Sequence, residues 1–240
     1  MKIGRRTNPA LAKGFSEIVS DGTTMTVGGT VTKIVIFLAV LAVCFAYSWL
    51  NIPYSSGVMI GVSLVTFIVA LITTFSPKIC QFTGIIYAGL EGLFLGSLSK
   101  LFDRMFPGIV LPAVLLTFVC VLVTLAIYGK NPSIADRTRK GVMIGLITIC
   151  ITSLIGVVLS FFGVILPIYQ NGPIGIIFSL AVVILATLCL MQDYDYILRA
   201  ARSGAPKYME WYGAFSLMVT LIWLYVEILN LLAQISNSRD

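Results

Sequence analysis

YGAFSLMVTLIWLYVEILNLLAQ, residues 212–234, is an apolar run with one acid, Glu227, well inside it. It is long enough to cross a bilayer as a helix, which takes about 20 residues. Six more such runs precede it, at roughly 34–50, 57–75, 80–99, 108–128, 141–163 and 173–193. Hydrophobic residues make up 58% of the 240 and charged residues 11%, against about 25% charged in an average soluble domain. Mean hydropathy is +1.00, too high for a domain of this size with a water-facing surface. Period-2 strand patterning is absent, which argues against a transmembrane β-barrel. The expected fold is an all-α integral membrane protein: a seven-helix transmembrane domain over 34–235 behind a polar, cytoplasmic N-terminal tail over 1–33. That tail lacks the apolar core of a cleaved signal peptide, so the first helix acts as its own insertion signal.

Orientation follows from the basic residues. With the N-terminus inside, Lys2, Arg5, Arg6, Lys13, Lys33, Lys78, Lys130, Arg137, Arg139, Lys140, Arg199, Arg202 and Lys207 fall on the cytoplasmic side, thirteen of the chain's 16. Only Lys100, Arg104 and Arg239 fall outside, a strong positive-inside bias. The expectation is a multi-pass protein of the cell inner (plasma) membrane, N-terminus cytoplasmic and C-terminus outside. The net charge of +6 is accounted for by this bias and by contact with membrane lipid, and needs no nucleic-acid partner.

The chain has no histidine, which removes zinc motifs and serine–histidine catalysis. Its five cysteines, Cys44, Cys80, Cys120, Cys150 and Cys189, are odd in number and scattered through apolar segments, so they read as small packing residues. No cofactor is expected, and an enzyme is disfavoured.

Acids are the residues that stand out. The chain has ten, and four lie in or beside apolar runs: Glu91 in YAGLEGLFLG, Asp193 and Asp195 in MQDYDYILRA, and Glu227. An ionised acid in a bilayer costs from about 3 to more than 10 kcal/mol, so such groups default to an ion-path or proton-site reading. Glu91 reads either as a neutral acid hydrogen-bonded to a neighbouring helix or as a lining residue. Asp195 stands i,i+4 to Arg199, which predicts a surface ion pair and leaves Asp193 as the better interior candidate. Tyr208, Trp211 and Tyr212 read as an interfacial aromatic belt, with Glu210 a headgroup-level surface charge. GVMIG occurs at 57–61 and again at 141–145, which hints at an inverted repeat of helices 1–3 and 4–6. Gly57/Gly61, Gly92/Gly96 and Gly141/Gly145 have the spacing that lets helix backbones approach closely.

DYDYI at 193–197 and LYVEILNLL at 224–232 resemble the sixth- and seventh-helix motifs of the Bax inhibitor (transmembrane Bax-inhibitor-motif) family. RRTNPAL, MTVGGTVTK, EGLFLG and GAPKYMEWYGAF look like its bacterial YccA-type branch. The resemblance implies a seven-helix fold with the last helix surrounded by the other six. It also implies a pH-dependent leak of calcium or another cation, controlled by a pair of acids on helices six and seven. By residue match these are Asp193 and Glu227, the latter standing where the family has aspartate. An alternative that the YccA-type branch implies is a non-transporting regulator of a membrane protease or stress response, docked through the basic tail. Counted from the turn at Gly204, Asp193 lies 11 residues back and Glu227 lies 23 forward. A straight hairpin would then set the two acids about 18 Å apart in depth.

Overall fold

A computed structural model describes residues 24–52, 56–164, 166–170 and 172–238. It consists of seven helices: α1 (Val27–Asn51), α2 (Ser56–Phe75), α3 (Cys80–Met105), α4 (Val110–Lys130), α5 (Ser133–Phe161), α6 (Pro173–Arg202) and α7 (Met209–Asn237). Short 3-10 turns at Pro77–Ile79 and Pro167–Tyr169 lead into α3 and α6. All seven helices are long and apolar enough to cross a membrane.

Local chemistry sets where these helices start and stop. α1 begins at Val27, ahead of the apolar run at Ile34, because the Thr26 hydroxyl accepts the Gly29 N–H at 2.9 Å and caps the first turn. The rest of the tail, residues 1–23, lies outside the described residues. α6 opens on Pro173, whose missing N–H is one the first turn could not have paired. It closes at Gly204, which takes φ +72 while Ala205 N–H returns to the Ala200 carbonyl at 3.1 Å. Inside the spans, Thr66, Thr73, Thr117 and Thr124 donate their hydroxyls to a carbonyl one turn back, at 2.7–2.8 Å. No hydroxyl of that set needs water, as hydrocarbon requires.

Packing places α7 at the centre. It lies against α1, α3, α4 and α6, while α2 and α5 stand outside, against α3 and α6. The third helix of each triplet therefore packs on the first and second of that triplet, the pattern an inverted repeat of helices 1–3 and 4–6 produces. Leu190, Met218, Leu224 and Leu229 are fully buried around α7. Phe75 and Phe161 are 81% and 85% exposed on the outer helices, where lipid is the solvent. The tightest seam is α1 on α3. A Cβ at Gly92 would stand 2.5 Å from the Leu41 carbonyl oxygen, and one at Gly96 2.5 Å from that of Phe45. Gly145 meets Leu185, but Gly57, Gly61 and Gly141 meet nothing within 4 Å, so their spacing is not a packing seam.

The described basic residues Lys33, Lys78, Lys130, Arg137, Arg139, Lys140, Arg199, Arg202 and Lys207 gather at one end of the bundle, and Lys100 and Arg104 at the other. The first of these is called the basic end below.

Candidate functional site

The site is built on one stripe of α7. Ser216, Thr220, Trp223, Glu227, Asn230 and Gln234 recur at alternating intervals of four and three, so they line one face of an otherwise apolar helix. That face meets α6, which presents small buried residues at the matching spacing: Gly175, Ser179, Val182, Ala186 and Cys189, then Asp193. Two contacts fix the antiparallel register. Near the basic end, Ser216 and Thr220 donate to the two carboxyl oxygens of Asp193 at 2.8 and 2.6 Å. Toward the far end, Gln234 Nε2 donates to Ser179 Oγ at 2.8 Å.

Asp193 is half-buried and lines an open cavity of about 420 Å³ between α5, α6 and α7. Gln192, Thr220 and Trp223 share its wall, and Arg139 of α5 stands at its basic end. Gln192 Nε2 donates to the Ala135 carbonyl at 2.8 Å and to Thr138 Oγ1 at 3.1 Å, which ties α6 to α5 beside the cavity.

Glu227 is on the same stripe but is not joined to Asp193. Its carboxylate accepts the indole N–H of Trp223 at 3.1 Å, and no hydrogen bond links the two acids among the described residues. Asp193 is level with the middle of the Ser216–Thr220 turn, so Glu227 lies about 13 Å further along α7. The hairpin count overstated this distance because it began at the turn. α7 itself starts only at Met209, after the 203–208 connection. Trp223 occupies the interval: its ring walls the Asp193 cavity while its N–H holds Glu227.

Three other acids sit elsewhere than the sequence places them. Asp195 does pair with Arg199, at 2.7 Å, but it is 8% exposed rather than a surface group. Tyr128 of α4 covers it and donates to its Oδ1 at 3.2 Å, while Arg199 reaches Asp136 of α5 at 2.6 Å, so the pair fastens α4, α5 and α6 together. Glu210, expected at headgroup level, is 1% exposed. It forms an ion pair with Lys33 and accepts the backbone N–H and hydroxyl of Thr26, each at 2.9 Å. Trp211 belongs to this clamp more than to a belt, its ring tilted against Phe37 at 5.4 Å between centroids, beneath the Lys33 ammonium.

Glu91 makes no hydrogen bond or ion pair among the described residues, so the hydrogen-bonded packing acid is not what the structure shows. Tyr87 against Phe215 and Ser99 against Tyr225 set α3 parallel to α7 and bring Glu91 level with Met218. Glu91 and Asp193 thus stand at one depth, on different faces of the central helix.

Sequence reasoning isolated Asp193 and Glu227 but missed Ser216, Thr220 and Trp223, which hold them. The signal was present in the 4-3 spacing of polar residues within the last apolar run. Among the described residues no three acids or cysteines converge on one point, so the seam is not a preformed cage of the kind that binds calcium tightly through six to eight oxygens.

No curated protein and no solved structure matches the chain. A family model does, over residues 7–237, which takes in all seven helices and the α6–α7 seam. The chain belongs to the Bax inhibitor 1 like family.

Proposed function

We propose that the protein is a pH-sensitive leak channel or transporter for a cation, calcium being the best match to a path of carboxyl, hydroxyl and amide oxygens. The observation that carries this is Asp193, an acid at membrane depth facing an open cavity. The path runs from that cavity along the polar stripe of α7, past Trp223, to Glu227 and Gln234. In this reading the basic end is cytoplasmic, and the chain lies in the inner (plasma) membrane with its C-terminus outside.

Two acids set the pH dependence. Ionised, Asp193 draws a cation into the cavity and accepts both hydroxyls. Protonated, it loses the charge and gains an O–H donor, which weakens its hold on the two hydroxyls. Arg139 from α5, Cys189 and Tyr194 on α6, and Ser216, Thr220 and Trp223 on α7 are the groups that face it or act on its charge. Among the described residues only Trp223 bonds to Glu227. Flux therefore falls as the medium is acidified.

The test is calcium flux into liposomes holding the purified chain, measured across pH. Asp193→Asn and Glu227→Gln are each expected to lower the flux, and Asp193→Asn to flatten its pH profile. Unchanged flux in both variants overturns the reading. The regulator alternative rests on Lys2–Lys13, outside the described residues, and nothing in the described structure favours it.

A further inference from the structure

A second cavity, larger than the one that holds Asp193, lies elsewhere in the bundle. It is a groove of about 680 Å³ between α1 and α4, floored by α6 and α7, with Leu38, Leu41, Val114, Phe118, Val121 and Leu221 among its walls. Its few polar groups already have partners elsewhere. Thr30 and Thr117 bond to their own helices, Tyr225 to Ser99, Tyr128 to Asp195, and Tyr194 to Thr124 and the Val121 carbonyl. Water needs two to four polar partners to settle in a cavity, and this one is almost wholly apolar. The backbones of α1 and α4 nowhere come within 8 Å (Cα to Cα) among the described residues, which leaves the groove between them on the side of the bundle. Along α4 it extends from Val114 to Tyr128, about 21 Å of a hydrocarbon core about 30 Å thick.

Charge marks one mouth. At the basic end the groove floor reaches Leu198, and Arg202 stands one helical turn beyond on the same face of α6. Arg202 is exposed, makes no ion pair or hydrogen bond among the described residues, and lies close enough for its charge to act on Tyr128 at the groove's edge. Its neighbour Arg199 is already committed to Asp195 and Asp136.

We propose that this groove is a binding site for one anionic phospholipid, an acyl chain lying between α1 and α4 and the headgroup phosphate resting on Arg202. Bound there, the lipid joins the first helix to the fourth across a gap the described residues leave unfilled, and it touches the central helix on a face away from the acid seam.

Native mass spectrometry of the detergent-solubilised full chain tests this with phosphatidylglycerol and phosphatidylcholine of matched chains. The wild type should retain one phosphatidylglycerol, with a preference over phosphatidylcholine of roughly fivefold, the effect of one basic residue on an anionic headgroup. Val121→Trp, which fills the groove, should lose the retained lipid of both kinds. Arg202→Gln should keep a bound lipid but lose the preference. Equal retention of both lipids by the wild type, or a preference that survives Arg202→Gln, overturns the proposal, as does lipid retention by a folded Val121→Trp. If Val121→Trp does not fold, Arg202→Gln decides alone, since its side chain is exposed and unpaired. Calcium flux plays no part in the readout, so the two proposals fail independently.

Discussion

Asp193 and Glu227 share one face of the α6–α7 interface but not one level: Asp193 is held by Ser216 and Thr220, and Glu227 lies about two and a half turns beyond, behind Trp223. Carboxyls that share a proton must stand within hydrogen-bonding reach, and these do not. Each acid has its own hydrogen-bond partners, with Trp223 standing between them, and that separation can be measured.

In flux assays the effects of Asp193→Asn and Glu227→Gln are expected to add. On a logarithmic scale the double variant should match the sum of the singles to within about 0.5 kcal/mol, as sites more than about 10 Å apart do. A double variant no worse than the more severe single would instead reveal one coupled unit.

Trp223 stands between the two acids, and on the proposed path its ring is the barrier. Trp223→Ala should raise calcium flux by about tenfold if losing the ring takes about 1.4 kcal/mol off the crossing barrier. Trp223→Phe keeps the bulk but removes the bond to Glu227, so it should change flux far less. Equal effects of the two substitutions would assign the role to the hydrogen bond rather than the ring.

Glu210 is a stability residue. Removing its side chain leaves the Lys33 charge 14% exposed and without its partner. Breaking a buried pair in this way costs about 3–5 kcal/mol, so Glu210→Ala should melt well below the wild type in detergent. Replacing both Lys33 and Glu210 by Met should recover most of the loss. A double variant as unstable as the single would show that the pair's geometry, rather than an unpaired charge, sets the cost.

The glycines should divide by contact. Gly92→Ala and Gly96→Ala push a methyl against the backbone of α1 and should each destabilise by about 1–3 kcal/mol. Gly61→Ala meets nothing and should be neutral or slightly stabilising, because alanine is the better helix former. Thermal melts of the three variants in one detergent would separate the classes, and a loss at Gly61 equal to that at Gly96 would contradict the packing described.

Helix number and type were legible because each span needs a long apolar run, which composition alone displays. The turns at Gly172–Pro173 and Gly204 were legible for a similarly local reason. Depth was less so. The separation of Asp193 and Glu227 depends on where α7 starts after the 203–208 connection, and no single residue announces that. Glu210 and Asp195 were misplaced because a charge next to an apolar run looks the same whether it faces water or a partner. Their partners, Lys33 and Tyr128, lie 177 and 67 residues away in the chain. Spacing within one helix, by contrast, was available in the polar stripe from Ser216 to Gln234 and simply had to be counted.

The clamp between Lys33 and Glu210 also sets an order of assembly. At roughly 5–20 residues added per second, the 177-residue interval means that Lys33 waits about 10–35 s for its partner to leave the ribosome. Until then α1 and α3 can pack through Gly92 and Gly96, but the first helix keeps an unneutralised cation on its inner face. The ring closes only when the last helix arrives. A chain that stops short of Met209 therefore leaves the Lys33 ammonium without its partner.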